Sequence, residues 1–230
     1  MVKDKMSSFL LSVAVFFFII TFSISLPIYF RPFYYLHINA LDLAEDSGYS
    51  YAEIKESYDQ VLDYLTLPNR EFGVGVMRYS QSGASHFADC KMLFMLNSFI
   101  LILSGFFILT LRLLKRMGKI REYKFSDRSP SFWAATLACS LTVLLTAAAS
   151  LSFHNAFNVF HKIFFIGKDN WYFDPRYDEI INILPEKFFM NCALFIVFSI
   201  ITLSLAIIIG ECILIKKTKK RILKNFLKTF

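Results

Sequence analysis

Apolar runs separated by charged, aromatic-rich stretches dominate the chain. Four of them, residues 7–30, 92–114, 132–153 and 188–215, are long enough to cross a bilayer as helices. A hydrocarbon core of about 30 Å takes roughly 20 such residues, and only helices or closed barrels satisfy every backbone polar group within it. The pattern predicts an all-α membrane protein: four transmembrane helices with a small, mostly helical extracellular cap built from residues 31–91 and 154–187. The whole of 1–230 reads as a single polytopic domain. Within the cap, Ser50-Tyr51-Ala52-Glu53 is a capping box. Apolar residues then recur at Tyr51, Ile54, Tyr58, Val61, Leu62 and Leu65, the spacing of one buried helix face, and Pro68 ends it. Residues 73–79 read as a short extended piece. Phe153, Phe157, Phe160, Phe164 and Phe165 read as a continuation of the third span at the interface. Asp174-Pro175 predicts a further short helix ending before Pro185, which in turn opens the fourth span.

Basic residues are retained on the cytoplasmic side during insertion, so the flanks set the orientation. Loop 115–128 carries Lys115, Arg116, Lys119, Arg121, Lys124 and Arg128 against Glu122 and Asp127, and the tail adds seven basic residues and no acid. Loop 31–91 has five basic residues against nine acidic, and 154–187 has four against five. Both termini are therefore expected in the cytoplasm. The first span reads as an uncleaved signal-anchor, being too long for a signal-peptide core.

A mean hydropathy of +0.49 and 27 phenylalanines agree with a membrane protein. The net charge of +7 belongs to the inner flanks, where anionic headgroups suit it, and no soluble basic domain exists to hold nucleic acid. Cys90, Cys139, Cys192 and Cys212 show neither CxxC nor paired external spacing, so free thiols are expected. Tyr34, Tyr35, Trp171 and Tyr172 fit interfacial anchors. The spans are nearly free of ionisable groups, with Glu211 near one end of the fourth, which argues against transport. Neither a zinc-hydrolase His-Glu-x-x-His nor a Gly-x-Ser-x-Gly elbow occurs; residues 80–85, Ser-Gln-Ser-Gly-Ala-Ser, lack the framing glycines.

All four histidines fall on one side of the membrane. His86 lies just before the second span and His161 just after the third, both at headgroup level, while His37 and His154 suit hydrogen-bonding roles. An imidazole titrates near pH ~6.5, which fits a proton-transfer group at neutral pH.

Several runs carry a family resemblance: Leu26-Pro27-Ile28-Tyr29, His86-Phe87-Ala88-Asp89-Cys90-Lys91, Phe160-His161-Lys162-Ile163-Phe164-Phe165, Asn170-Trp171-Tyr172-Phe173-Asp174-Pro175 and Leu184-Pro185-Glu186-Lys187-Phe188-Phe189. Their order and spacing resemble the bacterial lipoprotein intramolecular transacylase (Lit) family over essentially the whole chain. Where the family carries His-Phe-x-Asp-Val-Lys, this chain has Cys90 in place of valine.

The resemblance implies a Gram-positive acyltransferase acting at the outer leaflet of the cell membrane, without cofactor or metal. Its partners would be membrane lipids and diacylglyceryl lipoproteins with a free N-terminal cysteine. The sn-2 acyl chain would move to the lipoprotein's own α-amine, giving a lyso-form product. The family's two functional histidines correspond to His86 and His161. Arg31 and Lys91 are candidates for stabilising an oxyanion, Asp89 and Asp174 for orienting an imidazole, and Tyr34 and Trp171 for lining the substrate site. Two alternatives share these residues: a non-enzymatic accessory protein whose cap binds lipoprotein or cell-wall partners, and a transferase drawing on a separate phospholipid donor.

Overall fold

The computed structural model describes residues 2–226. Eight α-helices and one 3₁₀ turn follow in order: α1 Val2–Tyr29, α2 Pro32–Ala40, α3 Leu43–Ser47, α4 Tyr51–Thr66, α5 Gln81–Arg116, α6 Pro130–Ala149, α7 Phe153–Phe164, the 3₁₀ turn Glu179–Asn182 and α8 Glu186–Phe226. Of these, α1, α5, α6 and α8 are long and apolar enough to cross a membrane. The expected all-α architecture with four spans is the one observed. At 1.5 Å per residue the 36 residues of α5 extend about 54 Å, well beyond a ~30 Å hydrocarbon core. Its first turns, which carry His86, therefore form a rigid projection of a spanning helix.

The chain divides into two compact units. One comprises residues 1–23, 100–145 and 197–230. Its packed faces mix small and aliphatic residues, with Ala135, Ala138, Ser204 and Ile19 buried, while Ile102, Phe106, Leu144 and Leu145 stay exposed. Small residues let helix backbones approach in lipid, and the exposed apolar faces suit acyl chains. Polar ties fix its ends. Ser12 donates to the Pro130 carbonyl at 3.1 Å, Asp4 accepts from the Arg121 N–H at 2.9 Å, and Glu211 accepts from the Ser129 N–H at 2.9 Å.

The other unit comprises residues 24–99 and 146–196. Its core is an aliphatic and aromatic cluster that includes Tyr34, Ile38, Ile54, Tyr58, Val61, Leu65, Phe87, Ile183 and Phe188. The α4 face expected from the spacing is the buried one. Its capping box is complete, Ser50 Oγ accepting from the Glu53 N–H while Glu53 accepts from the Ser50 N–H. Such a cap contributes about 1 kcal/mol.

Three local expectations are corrected. Residues 73–79 are not extended: Gly75 has φ +64° and sits against Ser57 of α4, leaving no room for a side chain or a ladder. The phenylalanine-rich run does not continue the third span. The helix stops at Ala149 and restarts at Phe153, where Ser152 in extended conformation accepts from the Asn155 N–H. After Asp174-Pro175 the expected cap is present, Asp174 Oδ1 accepting from the Arg176 N–H at 3.0 Å, but the chain makes only a single turn to Asp178 before the 3₁₀ turn follows. In addition, α2 and α3 make this unit more helical than the pattern suggested. Pro32 at the first helical position starts α2.

Candidate active site

His86 stands in the second turn of α5, and the start of that helix is locked. Ser80 Oγ accepts from the Gly83 N–H at 3.0 Å, and both the N–H and the hydroxyl of Ser80 donate to the buried Asp178 carboxylate at 2.8 Å. Gly83 is required there, since a Cβ would run into Asp178 and come within 3.0 Å of the Phe173 ring. His161 stands in the last turn of α7, whose amphipathic spacing turns that residue inward.

The two imidazoles meet with ring centroids 5.8 Å apart and are 5% and 8% exposed. Aromatic rings wall them in. Phe165 lies 4.8 Å from His86 and 5.7 Å from His161, Phe173 lies 5.5 Å from His86, and Trp171 stacks on His161 at 4.7 Å. The Trp171 indole N–H donates to the Lys168 carbonyl, which holds the loop over the site.

Protonation follows from these surroundings. His161 Nδ1 lies 2.8 Å from the Phe157 carbonyl, an acceptor only, so that nitrogen carries the hydrogen and Nε2 carries the lone pair. Burial lowers the His161 pKa below the ordinary imidazole value, against a smaller opposite effect of the Phe157 bond, so the ring is neutral at neutral pH. His86 Nε2 lies 3.4 Å from Cys90 Sγ, one helical turn on. Asp89 is paired with Lys168 and accepts from the Asn170 amide at 3.0 Å.

Beside the histidines lies a groove of about 340 Å³ lined by Met92, Leu93, Phe164, Phe165 and Ile166, with Asp89 and Lys168 at its polar edge. A larger cavity, about 990 Å³, lies within the other unit and is lined by basic, acidic, serine and aliphatic side chains without histidine. It is the less relevant of the two, because the groups suited to proton transfer are at the smaller groove.

The structure brings His86, His161, Asp89 and Trp171 together and places the other candidates elsewhere. Arg31 bonds Asp59 at 2.9 Å and also Asp63, tying the start of α2 to α4. Tyr34 is fully buried, stacked on Tyr58 at 3.6 Å and donating to the Ile183 carbonyl, so it is a core residue rather than an interfacial anchor. Trp171, also expected as an anchor, is buried against His161. The Lys91 ammonium lies over the Tyr64 ring at 4.2 Å. Asp174 is engaged by Arg176, which holds its carboxyl down to about 2. His37 sits between Phe33 and Phe188 with Nδ1 against the Phe33 carbonyl, and exposed His154 pairs with Glu186. All four cysteines are free. Lys168 and Asn170 were not singled out from the sequence. Asn170 belongs to the Asn-Trp-Tyr-Phe-Asp-Pro run, which is the one signal that pointed toward it.

A family model described as lipoprotein intramolecular transacylase Lit matches residues 9–189. Among solved structures, the chain is similar to the in meso structure of the membrane integral lipoprotein intramolecular transacylase Lit from Bacillus cereus. Identity is 23%, coverage is 95% of this chain and 98% of that one, and the TM-score is 0.84. Two structures of that protein with a single histidine replaced, by arginine in one and alanine in the other, match with TM-scores of 0.77 at 23% identity. They cover 95% of this chain and 95% and 96% of theirs. At this identity the likeness is one of fold. No curated protein sequence matches the chain.

Proposed function

The chain belongs to the lipoprotein intramolecular transacylase family Lit and is a multi-pass membrane acyltransferase, and from that premise we propose that His86 and His161 are its proton-transfer pair. The substrate is a lipoprotein whose N-terminal cysteine carries a thioether-linked diacylglycerol and a free α-amine. Its sn-2 acyl chain moves to that amine. The site lies at the extracellular leaflet, on the side of the acid-rich loops 31–91 and 154–187, with both termini in the cytoplasm. The observation that carries this reading is the pair of buried imidazoles 5.8 Å apart beside an apolar groove.

Two bases suit the proton balance. An α-amine of pKa ~8 enters mostly as ammonium at neutral pH and cannot attack until it loses a proton. One imidazole takes that proton, and the freed nitrogen attacks the ester carbonyl. The other imidazole takes the second proton from the tetrahedral adduct as the C–N bond is completed. The C–O bond to glycerol then breaks, its oxygen receiving a proton from one imidazolium. The remaining proton leaves to water, so ammonium plus ester gives amide, alcohol and one proton. Tethering of amine and ester on one molecule supplies proximity, and the groove takes the migrating chain. Lys168, at the polar edge of the groove, keeps ammonium hydrogens beyond its pairing with Asp89 that can be offered to the oxyanion.

Mass spectrometry of lipoproteins from cells with and without the chain tests this, with phospholipid acyl chains labelled after lipoprotein synthesis is stopped. The expected product is a lyso-form lipoprotein whose N-acyl chain is unlabelled. A labelled chain would mean a separate phospholipid donor. A second route is favoured by one contact, Cys90 Sγ against His86 Nε2, which suits a thioester intermediate. Trapping an acyl group on Cys90 would establish it in place of direct attack.

A further inference from the structure

We propose that Asn170 is a positioning residue for His86, its side-chain carbonyl fixing the imidazole in the tautomer that leaves Nε2 able to take a proton. The inference rests on, and deepens, the reading of His86 as a proton-transfer group. Two buried polar atoms at the site have no partner among the described residues: Nδ1 of His86 and Oδ1 of Asn170. They are complementary, a ring nitrogen able to carry hydrogen and an oxygen able only to accept, and Asn170 is held beside the ring by its bonds to Ser85 and Asp89, which flank His86 on α5. A buried donor or acceptor left unpaired is destabilising, so a small rotation joining the two removes both penalties with one bond.

The direction of the amide is set at its other end. Asn170 Nδ2 donates to Asp89 Oδ2 at 3.0 Å and reaches Ser85 Oγ at 3.4 Å. A carboxylate only accepts, so the NH₂ group must face Asp89, and the carbonyl is left for His86. Lys168 holds the other Asp89 oxygen. Asp89 thus accepts from both sides, from Lys168 and from Asn170, and the donor direction in the rest of the chain runs from His86 Nδ1 through Asn170 to Asp89. With Nδ1 carrying the hydrogen, His86 presents Nε2 as its lone-pair nitrogen, matching His161.

An amide in this position does something a carboxylate does not. A carboxylate bonded directly to imidazole favours the charged ring, whereas an amide oxygen orients the ring without a full negative charge beside it. Lys168 keeps the Asp89 charge occupied one step away. The arrangement suits a base that must rest neutral in a buried aromatic pocket.

The test uses the full chain in lipid nanodiscs, a synthetic diacylglyceryl-cysteine lipopeptide as substrate and ¹⁵N NMR of His86. The wild-type ring is expected to show a protonated Nδ1 and an unprotonated Nε2. Asn170→Ala is expected to mix the tautomers and lower kcat about 10- to 100-fold with KM nearly unchanged, within the contribution of a positioned base. Because this variant also removes a loop contact, a second one separates orientation from folding. Asp89→Asn combined with Asn170→Asp exchanges the two groups and keeps an acceptor facing His86: its neutral ring is expected to return to the Nδ1-protonated tautomer, with the acid limb of kcat moved to higher pH by the carboxylate. A wild-type ring protonated at Nε2, an Asn170→Ala protein with unchanged kcat and spectrum, or an exchange variant whose neutral ring stays mixed between the tautomers overturns the proposal. Turnover by His86→Ala would overturn the underlying reading as well, whereas its loss beside a silent Asn170→Ala removes only the role of Asn170.

Discussion

Burial separates the four histidines into two kinds. His86 and His161 face each other behind aromatic rings, while His37 and His154 are held by partners of their own. His86→Ala and His161→Ala are each expected to lower turnover by about 10²–10⁴-fold while the protein still accumulates in the membrane. His37→Ala and His154→Ala should keep it. Near-normal turnover by the asparagine variant of either site histidine would exclude proton transfer there. Cys90→Val should be active, since the tethered amine is itself the nucleophile. The neutral His161 ring is the working form and burial lowers its pKa, so the acid limb of kcat/KM should fall below pH 6.5. Turnover should rise toward the amine's pKa of ~8 as the nucleophile is freed. A full pH profile checks both limbs. The histidines were legible because they lie beside spans whose ends the pattern marks. What engages Arg31, Tyr34 and Asp174 was not legible, because the partners of Arg31 and Tyr34 lie 28 to 149 residues away and the guanidinium of Arg176 meets Asp174 only once the short turn has formed. The contacts of Asn170 were hidden for the same reason, its bonds crossing 81 and 85 residues.

Elements whose signals are local were legible; those decided by contact were not. The α4 capping box closes within four residues and was read correctly. The failure at 73–79 came from Gly75, whose positive φ and approach to Ser57 are properties of the packed state. The break before α7 did leave a sequence trace, Ser152 ahead of a helix-spaced run, but continuous apolarity outweighed it. Gly83→Ala, which forces a methyl against Asp178 and Phe173, should destabilise the protein by about 1–3 kcal/mol. Thermal unfolding in detergent, with turnover measured alongside, checks this. Hydrogen bonds from Arg78 hold the Glu179 carboxyl down to about 2. Its folded pKa is thus depressed, so its contribution is present above the ordinary carboxylate range and is lost as pH falls through about 2. Neutral and mildly acidic buffers should leave that knot intact, which hydrogen exchange of the Arg78 and Glu179 amides can follow.

For the whole molecule, the proposed orientation has a direct consequence. In a background whose native cysteines are replaced, Asn69→Cys and Asp169→Cys should react with an impermeant maleimide in intact cells, and Lys119→Cys should not. The reverse pattern would move the histidines to the cytoplasmic leaflet. The chain holds only two tryptophans, Trp133 and Trp171, and they fall one in each compact unit. Trp133 donates to the Phe125 carbonyl, far in sequence from any histidine, whereas Trp171 stacks on His161. An imidazolium quenches an adjacent indole, so replacing Trp133 with phenylalanine leaves an enzyme whose ultraviolet emission dims when His161 takes up a proton. Fitted with that single lamp, the protein reports each proton taken up by His161, in real time and without an added dye.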